Sequence, residues 1–223
     1  ISTMVSEDLN LSTALGGLSR CVANLELTNA FATIANGGTY TEPVFFTKIL
    51  DRNGKLLIDN TPQTKQALKD STAFLLTDAM TDAMQSNVLY SRPGAGVNST
   101  GTAAALSGMS CAGKSGTTTN NVDVWFVGFT PYYTAGVWGG CDNNQSLRDG
   151  SGSQNGGTSY HKRIWQKVMT RIHEGLSDPG FPVPDSIETA QICRKSGKLA
   201  VSGVCSADPR GDAVYTEYFA KGT

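Results

Sequence analysis

The sequence predicts a mixed α/β domain, an antiparallel sheet flanked by helices. Three observations carry this. Segments with helical spacing alternate with strand-like segments in the order helix, two strands, helix, three strands, helix. The connectors within the strand pairs are only a few residues long, which suits antiparallel hairpins and excludes crossovers. The chain has 223 residues, of which 39% are hydrophobic, enough to bury a sizeable core.

The first helix is predicted from Asn24 to Asn36. Leu27, Ala30, Phe31 and Ile34 recur at helical spacing, Asn24 can cap the start, and Gly37–Gly38 stops it. Pro43–Leu50 reads as a strand. Asp51–Lys55 carries an Asn-Gly turn signal, and Lys55–Ile58 is the return strand. Ser71–Gln85 reads as a second helix, capped by Asp70 or Ser71, with Phe74, Leu75, Met80 and Met84 on its apolar side. Asp78 and Asp82 read as a solvated face of that helix. Arg92–Gly101 is a polar loop, and Thr102–Leu106 a short helical turn. The densest strand signal follows: Cys111–Thr118, Val122–Phe129 and Thr134–Gly139, joined by Thr119–Asn121 and Pro131–Tyr133. Asp142–Thr158 is a Gly-rich loop, and Tyr160–His173 returns to helical spacing through Ile164, Trp165, Val168, Met169 and Ile172. Pro179, Pro182 and Pro184 mark a linker. The expected division is a main unit, 1–178, and a loop-rich C-terminal extension, 179–223.

Composition narrows the function classes. Glycine, at 25 residues, is enriched but follows no repeat, and charged residues are only 17% against the usual ~25%. Collagen, coiled coil and an acidic disordered tail are excluded. A net charge of −1 carries no footprint for nucleic acid. Apolar runs such as Val124–Val127 fall far short of the ~20 residues of a membrane span. His161 and His173, twelve apart, lie about 120° apart on one helix, so no metal site is expected. Cys193 and Cys205 bracket a short Gly/Ser/Lys-rich loop of the kind a disulfide closes in an exported protein. Cys21, Cys111 and Cys141 read as buried, unpaired thiols.

Chemistry reads most directly from Lys114-Ser115-Gly116-Thr117-Thr118. A lysine and several hydroxyls on a strand form a row of donors, and the intervening glycine lets a ligand backbone approach. If the strand is an edge, it offers N–H and C=O groups to an extended peptide, while Lys114 and the hydroxyls attract a carboxylate. The same residues also suit a plain Ser/Thr-rich edge strand guarded by a lysine.

The surroundings favour the first reading. The run AGKSGTTTNNVDVWFVGFTPYYTAGVWGG, Ala112 to Gly140, resembles the segment around the third active-site motif of penicillin-binding proteins, above all the transpeptidase domain of the bifunctional class A members. NLELTNAFATIANGGTY, Asn24 to Tyr40, resembles the same family's helix and glycine pair, and Ile164–Met169 its closing helix. The resemblance covers nearly residues 1 to 175; the tail with its two cysteines resembles a C-terminal extension of some class A members. It implies a partial penicillin-binding, serine β-lactamase-like fold and D,D-transpeptidation, needing no cofactor. A serine attacks a D-Ala-D-Ala peptide, releases D-Ala and passes the acyl group to an amine of neighbouring peptidoglycan; β-lactams trap the same acyl-enzyme. Carried over, Lys114 supports the hydrogen-bond network and the positive field at the substrate carboxylate. The Ser115 and Thr117 hydroxyls bind that carboxylate, and the Thr117 N–H is an oxyanion donor. Gly116 and Thr118 belong to the same substrate-binding strand.

The family also needs Ser-x-x-Lys and Ser-x-Asn motifs before this strand, and neither occurs before Lys114. Ser159-Tyr160-His161-Lys162 and Ser153-Gln154-Asn155 match only after it, in reversed order. Ser159 is better placed as a helix cap. The expectation is a C-terminal half of a transpeptidase domain, lacking its nucleophile and inactive alone. Its partners would be the domain's N-terminal half, peptidoglycan stem peptides and β-lactams. Its place would be the extracytoplasmic face of a bacterial membrane, with the parent anchored by a helix outside this sequence and carrying a glycosyltransferase. A D,D-carboxypeptidase or serine β-lactamase relative, or a non-catalytic wall-binding module, are the alternatives.

Overall fold

The computed structural model describes residues 1–85, 99–148, 159–209 and 211–223. Its centre is an antiparallel sheet of β5 (Ala112–Thr117), β6 (Asp123–Phe129) and β7 (Thr134–Gly140), in that spatial order. Ala112 pairs with Phe129 and Thr117 with Val124, while Asp123 pairs with Gly140 and Phe129 with Thr134. Asn120 and Asn121, at φ 60° and 55°, turn the chain between β5 and β6, a left-handed backbone that asparagine tolerates.

Strand alternation sends the side chains of β6 to two cores. Phe126 meets α3 (Tyr160–Ile172), where its ring lies edge-on to Trp165 at 5.2 Å and Met84, Ala104, Cys111 and Met169 complete the cluster. The Trp165 indole N–H donates to the Ala135 carbonyl at 3.0 Å, so this large buried ring leaves no orphan donor. Phe129 faces the other way, onto Met80 of α2 (Asp70–Asp82), Phe31 and Ile34 of α1 (Asn24–Ala35), and Phe181.

Helix boundaries differ from the sequence expectation at their caps. Ala23, not Asn24, is the N-cap of α1; Asn24 lies inside the helix and its Nδ2 donates to the Gly136 carbonyl of β7 at 3.4 Å. Lys69 caps α2, and Ser159 holds the cap position of α3 without a side-chain bond. Asp70 instead accepts from Ser186 Oγ at 2.8 Å, tying α2 to the C-terminal segment. Asp78 and Asp82 are half-buried rather than solvated. Burial raises both carboxyls, helped by Glu217 and, for Asp78, by Asp82.

The expected strand Pro43–Leu50 narrows to β2 (Lys48–Leu50), which pairs with β3 (Leu56–Asp59). Two further strands were not foreseen: β1 (Thr39–Thr41) pairs with β4 (Thr64–Gln66) across a long insertion. The C-terminal extension is also more ordered than its composition suggests. Seven-residue strands β8 (Ile187–Cys193) and β9 (Val214–Ala220) pair throughout, and Tyr218 sets its ring edge-on to Phe74 of α2 at 5.1 Å. Among the described residues no helix is long and apolar enough to cross a membrane.

Candidate functional site

β5 is an edge strand of the central sheet. Its register decides which peptide groups are free. Thr118 N–H bonds the Asp123 carbonyl at 3.1 Å, so Thr118 and Asp123 form a hydrogen-bonded pair. Antiparallel pairs alternate, which turns the peptide groups of Thr117 and Ser115 away from β6 and out of the open edge. The Lys114 ammonium already uses one of these outward groups, donating to the Ser115 carbonyl at 2.7 Å.

Side chains alternate in the same way. Lys114 and Gly116 share the face of Val127 and Trp125, while Ser115 and Thr117 share that of Phe126 and Val124. A cleft of about 690 Å³ wraps this edge, so residues from both faces line it: Lys114, Ser115, Gly116, Thr117 and Thr118 all do. Its opposite wall is apolar, made by Leu15, Leu18, Val22, Leu27 and Phe31. A Cβ placed on Gly116 would meet only Trp125 Cβ, at 3.4 Å, an ordinary contact. Nothing inside the chain therefore requires glycine there; its open side faces the cleft.

Asp123, which spacing alone did not single out, organises the far end of the strand. Its backbone N–H donates to Thr118 Oγ1 at 2.8 Å, and its Oδ1 accepts from the Trp138 indole at 2.9 Å. The signal was present as a carboxylate opening a strand of apolar residues.

The Ser159–Lys162 pair does not assemble. Lys162 Nζ donates to the Thr100 carbonyl at 2.9 Å, and burial, then the charge of Lys114, lowers its pKa. Ser153–Asn155, and the Arg92–Asn98 part of the polar loop, lie outside the described residues. His161 is 1% exposed with neither ring nitrogen hydrogen-bonded, and burial pulls its pKa down to about 4. His173, the other buried histidine, is satisfied at both nitrogens, by Thr130 Oγ1 at 2.8 Å and the Met169 carbonyl at 2.6 Å.

In the extension, Cys193 and Cys205 are both thiols. Backbone N–H groups of Ser196 and Lys195, and then the Cys205 side chain, bring the Cys193 thiol down to about 7. The remaining cysteines do not share one environment as expected: Cys111 is buried, Cys141 half-buried and Cys21 exposed, since Cys21 falls in an irregular surface segment before α1.

Two stretches of the chain match models of known families. Residues 4–170 match the model of the penicillin-binding protein transpeptidase domain, and residues 183–223 that of the penicillin-binding protein 1A C-terminal domain. Penicillin-binding protein 1A of Clostridium botulinum is 35% identical over 95% of this chain and 24% of its own length. Penicillin-binding protein 2D of Bacillus subtilis is 33% identical over 95% of this chain and 28% of its own. The chain thus spans about a quarter of the length of the curated relatives it matches. Among solved structures, penicillin-binding protein 1A of Haemophilus influenzae superposes with a TM-score of 0.69 at 22% identity, over 99% of this chain and 35% of that one. At that identity the likeness speaks for the fold. With three-quarters of its residues under one family model, the chain belongs to the penicillin-binding protein transpeptidase family.

Proposed function

We propose that this chain supplies the substrate-binding edge of a serine D,D-transpeptidase of peptidoglycan synthesis. The observation that carries the reading is the open β5 edge, with Ser115 and Thr117 peptide groups turned outward beside the Lys114 ammonium. An extended D-Ala-D-Ala peptide lies along this edge as an added strand, its carboxylate met by Lys114 and the Ser115 and Thr117 hydroxyls. The Thr117 N–H points off the edge and donates to the oxyanion as the carbonyl turns tetrahedral, an interaction worth roughly 3–4 kcal/mol of barrier. Gly116 leaves room for the ligand backbone, and Thr118 fixes the end of the strand through Asp123.

The nucleophile and its base come from the N-terminal half of the domain, because no Ser-x-x-Lys or Ser-x-Asn precedes Lys114. That half covers the apolar wall of the cleft and the neighbouring leucines; Leu9, Leu11 and Leu15 are 85%, 92% and 93% exposed. A patch of this kind marks an interaction surface. The catalytic unit is then 1–178 joined to that half, with 179–223 an extension that grips α2 through Ser186 and Tyr218. We place the unit outside the bacterial cytoplasmic membrane, its parent anchored by a segment beyond this sequence and carrying a glycosyltransferase. There Cys193 and Cys205 pair as a disulfide. Non-reducing intact mass of protein exported to an oxidising compartment should be 2 Da below the reduced mass, by loss of two thiol hydrogens; an unchanged mass removes the pairing.

The test of function is fluorescent-penicillin labelling of this chain mixed with its N-terminal half, read on a denaturing gel. Label on the N-terminal polypeptide, dependent on this chain, is the expected result. An M. tuberculosis penicillin-binding protein A, a fold relative at TM-score 0.50, has been solved as an imipenem acyl-enzyme, so β-lactam capture is a fair readout. Label on the 223-residue chain itself would place the nucleophile here and overturn the division of labour. No label in the mixture would favour a non-catalytic wall-binding module.

A further inference from the structure

A second groove lies at the opposite end of the central sheet. It encloses about 440 Å³, within the roughly 300–1,000 Å³ of ordinary small-ligand sites. Three elements build it: the C-terminal half of α1, strand β1, and the turn from Thr130 to Thr134 that joins β6 to β7. No residue lining it carries a formal charge; its polar groups are the amides of Asn29 and Asn36 and a set of threonine and tyrosine hydroxyls.

The lining is rigid where it matters. Thr130 Oγ1 accepts from the backbone N–H groups of Tyr132 and Tyr133, each at 3.1 Å, and bonds the His173 ring at 2.8 Å. Both tyrosine rings stand edge-on to that imidazole, at 5.9 and 5.2 Å, yet remain 42% and 46% exposed. They form a fixed aromatic shelf. Asn29 and Asn36 each donate one Nδ2 hydrogen to the Thr41 and Thr39 carbonyls respectively, which orients the amides and leaves their oxygens as acceptors. Among the described residues the hydroxyls of Thr41, Tyr133 and Thr134 make no hydrogen bond within the chain.

An exposed aromatic shelf beside neutral, immobilised amides and unused hydroxyls is complementary to a sugar, whose C–H face is apolar and whose rim is hydroxyl and amide. A phosphate or an acidic stem peptide would need a cation, and none lines the groove. We infer that this groove is a saccharide subsite that holds the glycan strand of the polymer whose stem peptide lies along β5; the identity of that polymer rests on the function proposed above. Lys114 pairs with Val127, three residues before Thr130, so the near end of the β5 cleft lies roughly 10 Å from the groove along β6 at ~3.3 Å per residue.

Chitotetraose, a neutral amino-sugar oligomer without a stem peptide, is the probe. Titrated into the 15N-labelled 223-residue chain, it should produce saturable shifts at the Asn29 and Asn36 side-chain amides and the Tyr133 backbone, and not at β5. Tyr133→Ala should weaken binding at least about tenfold, while Tyr133→Phe, which keeps the ring, stays within about threefold of the parent. Thr134→Val, nearly isosteric on a strand, gives about a threefold loss and covers the case in which Tyr133→Ala disturbs the turn. Absence of saturable shifts, or Tyr133→Ala and Thr134→Val both binding like the parent, overturns the proposal. So does displacement of the same signals by a free stem peptide, which would make the occupant a peptide. Penicillin labelling reports independently on β5: saccharide binding without labelling would fault the catalytic reading alone.

Discussion

On the α3 side of the central sheet Phe126, Trp165 and Met169 are fully buried, whereas the turn flanking the Lys114 cleft leaves Leu11 and Leu15 more than nine-tenths exposed. Both regions draw on the same three strands. One side closes on its own helix and the indole even bonds the sheet; the other ends in apolar surface and unsatisfied strand edge. The difference separates what stabilises this chain from what it presents to others. Substitutions on the first side should act on folding, and those on the second on association and chemistry.

The sharpest way to test that separation is Trp165→Ala. It removes a buried ring and its hydrogen bond to Ala135, and should cost about 3–5 kcal/mol in urea unfolding. Stability within 1 kcal/mol of the parent would break the comparison. Lys114→Ala, on the exposed side, should leave unfolding within about 0.5 kcal/mol yet lower penicillin labelling of the reconstituted enzyme at least about a hundredfold. A parallel loss of stability would show that the edge is structural after all.

His161 belongs to the first side and carries a pH signature. Its folded pKa, about 4, lies below the ordinary 6.5, so the buried neutral ring favours folding above pH 6.5. That contribution is lost as pH falls from 6.5 towards 4, by at most roughly 3 kcal/mol at 1.36 kcal/mol per unit. In His161→Leu the loss across this window should flatten, as read by thermal melts from pH 7 to 4. Gly116→Ala sharpens the comparison with a smaller change: the chain has room for the methyl, so melting should shift by less than a degree or two, while labelling falls about tenfold. Smallest of all, Leu11→Ser should leave this chain's own stability within about 0.5 kcal/mol and weaken only its capture of the N-terminal half.

The elements legible in the sequence were those whose signal is local. Helix α1 showed in the spacing of Leu27, Phe31 and Ile34, and the β5–β6–β7 hairpins in contiguous apolar strands with short connectors. Pairings that depend on distant partners were not legible: three-residue β1 finds β4 more than twenty positions later, and β8 alternates too weakly to read without β9. Asn24 and Asp70 looked like caps because short polar side chains suit that role, but tertiary partners, Gly136 and Ser186, claim them. In α3 the apolar spacing was real yet divided, with Trp165 and Met169 inside and Ile164 and Val168 about half exposed. At the site, the Lys-Ser-Gly-Thr order was plain from the residues. The outward turn of alternate peptide groups was not, since it depends on the register against β6.

That alternation makes the β5 edge a measuring rule. Its outward groups recur every second residue, at Ser115 and Thr117, about 6.8 Å apart along an antiparallel strand. A ligand backbone that repeats at this pitch engages both marks together; one with an added methylene or a bent linkage falls out of step after the first. In the function proposed above, selection by pitch would precede any reading of side chains and would reject a wrong backbone without a dedicated steric block.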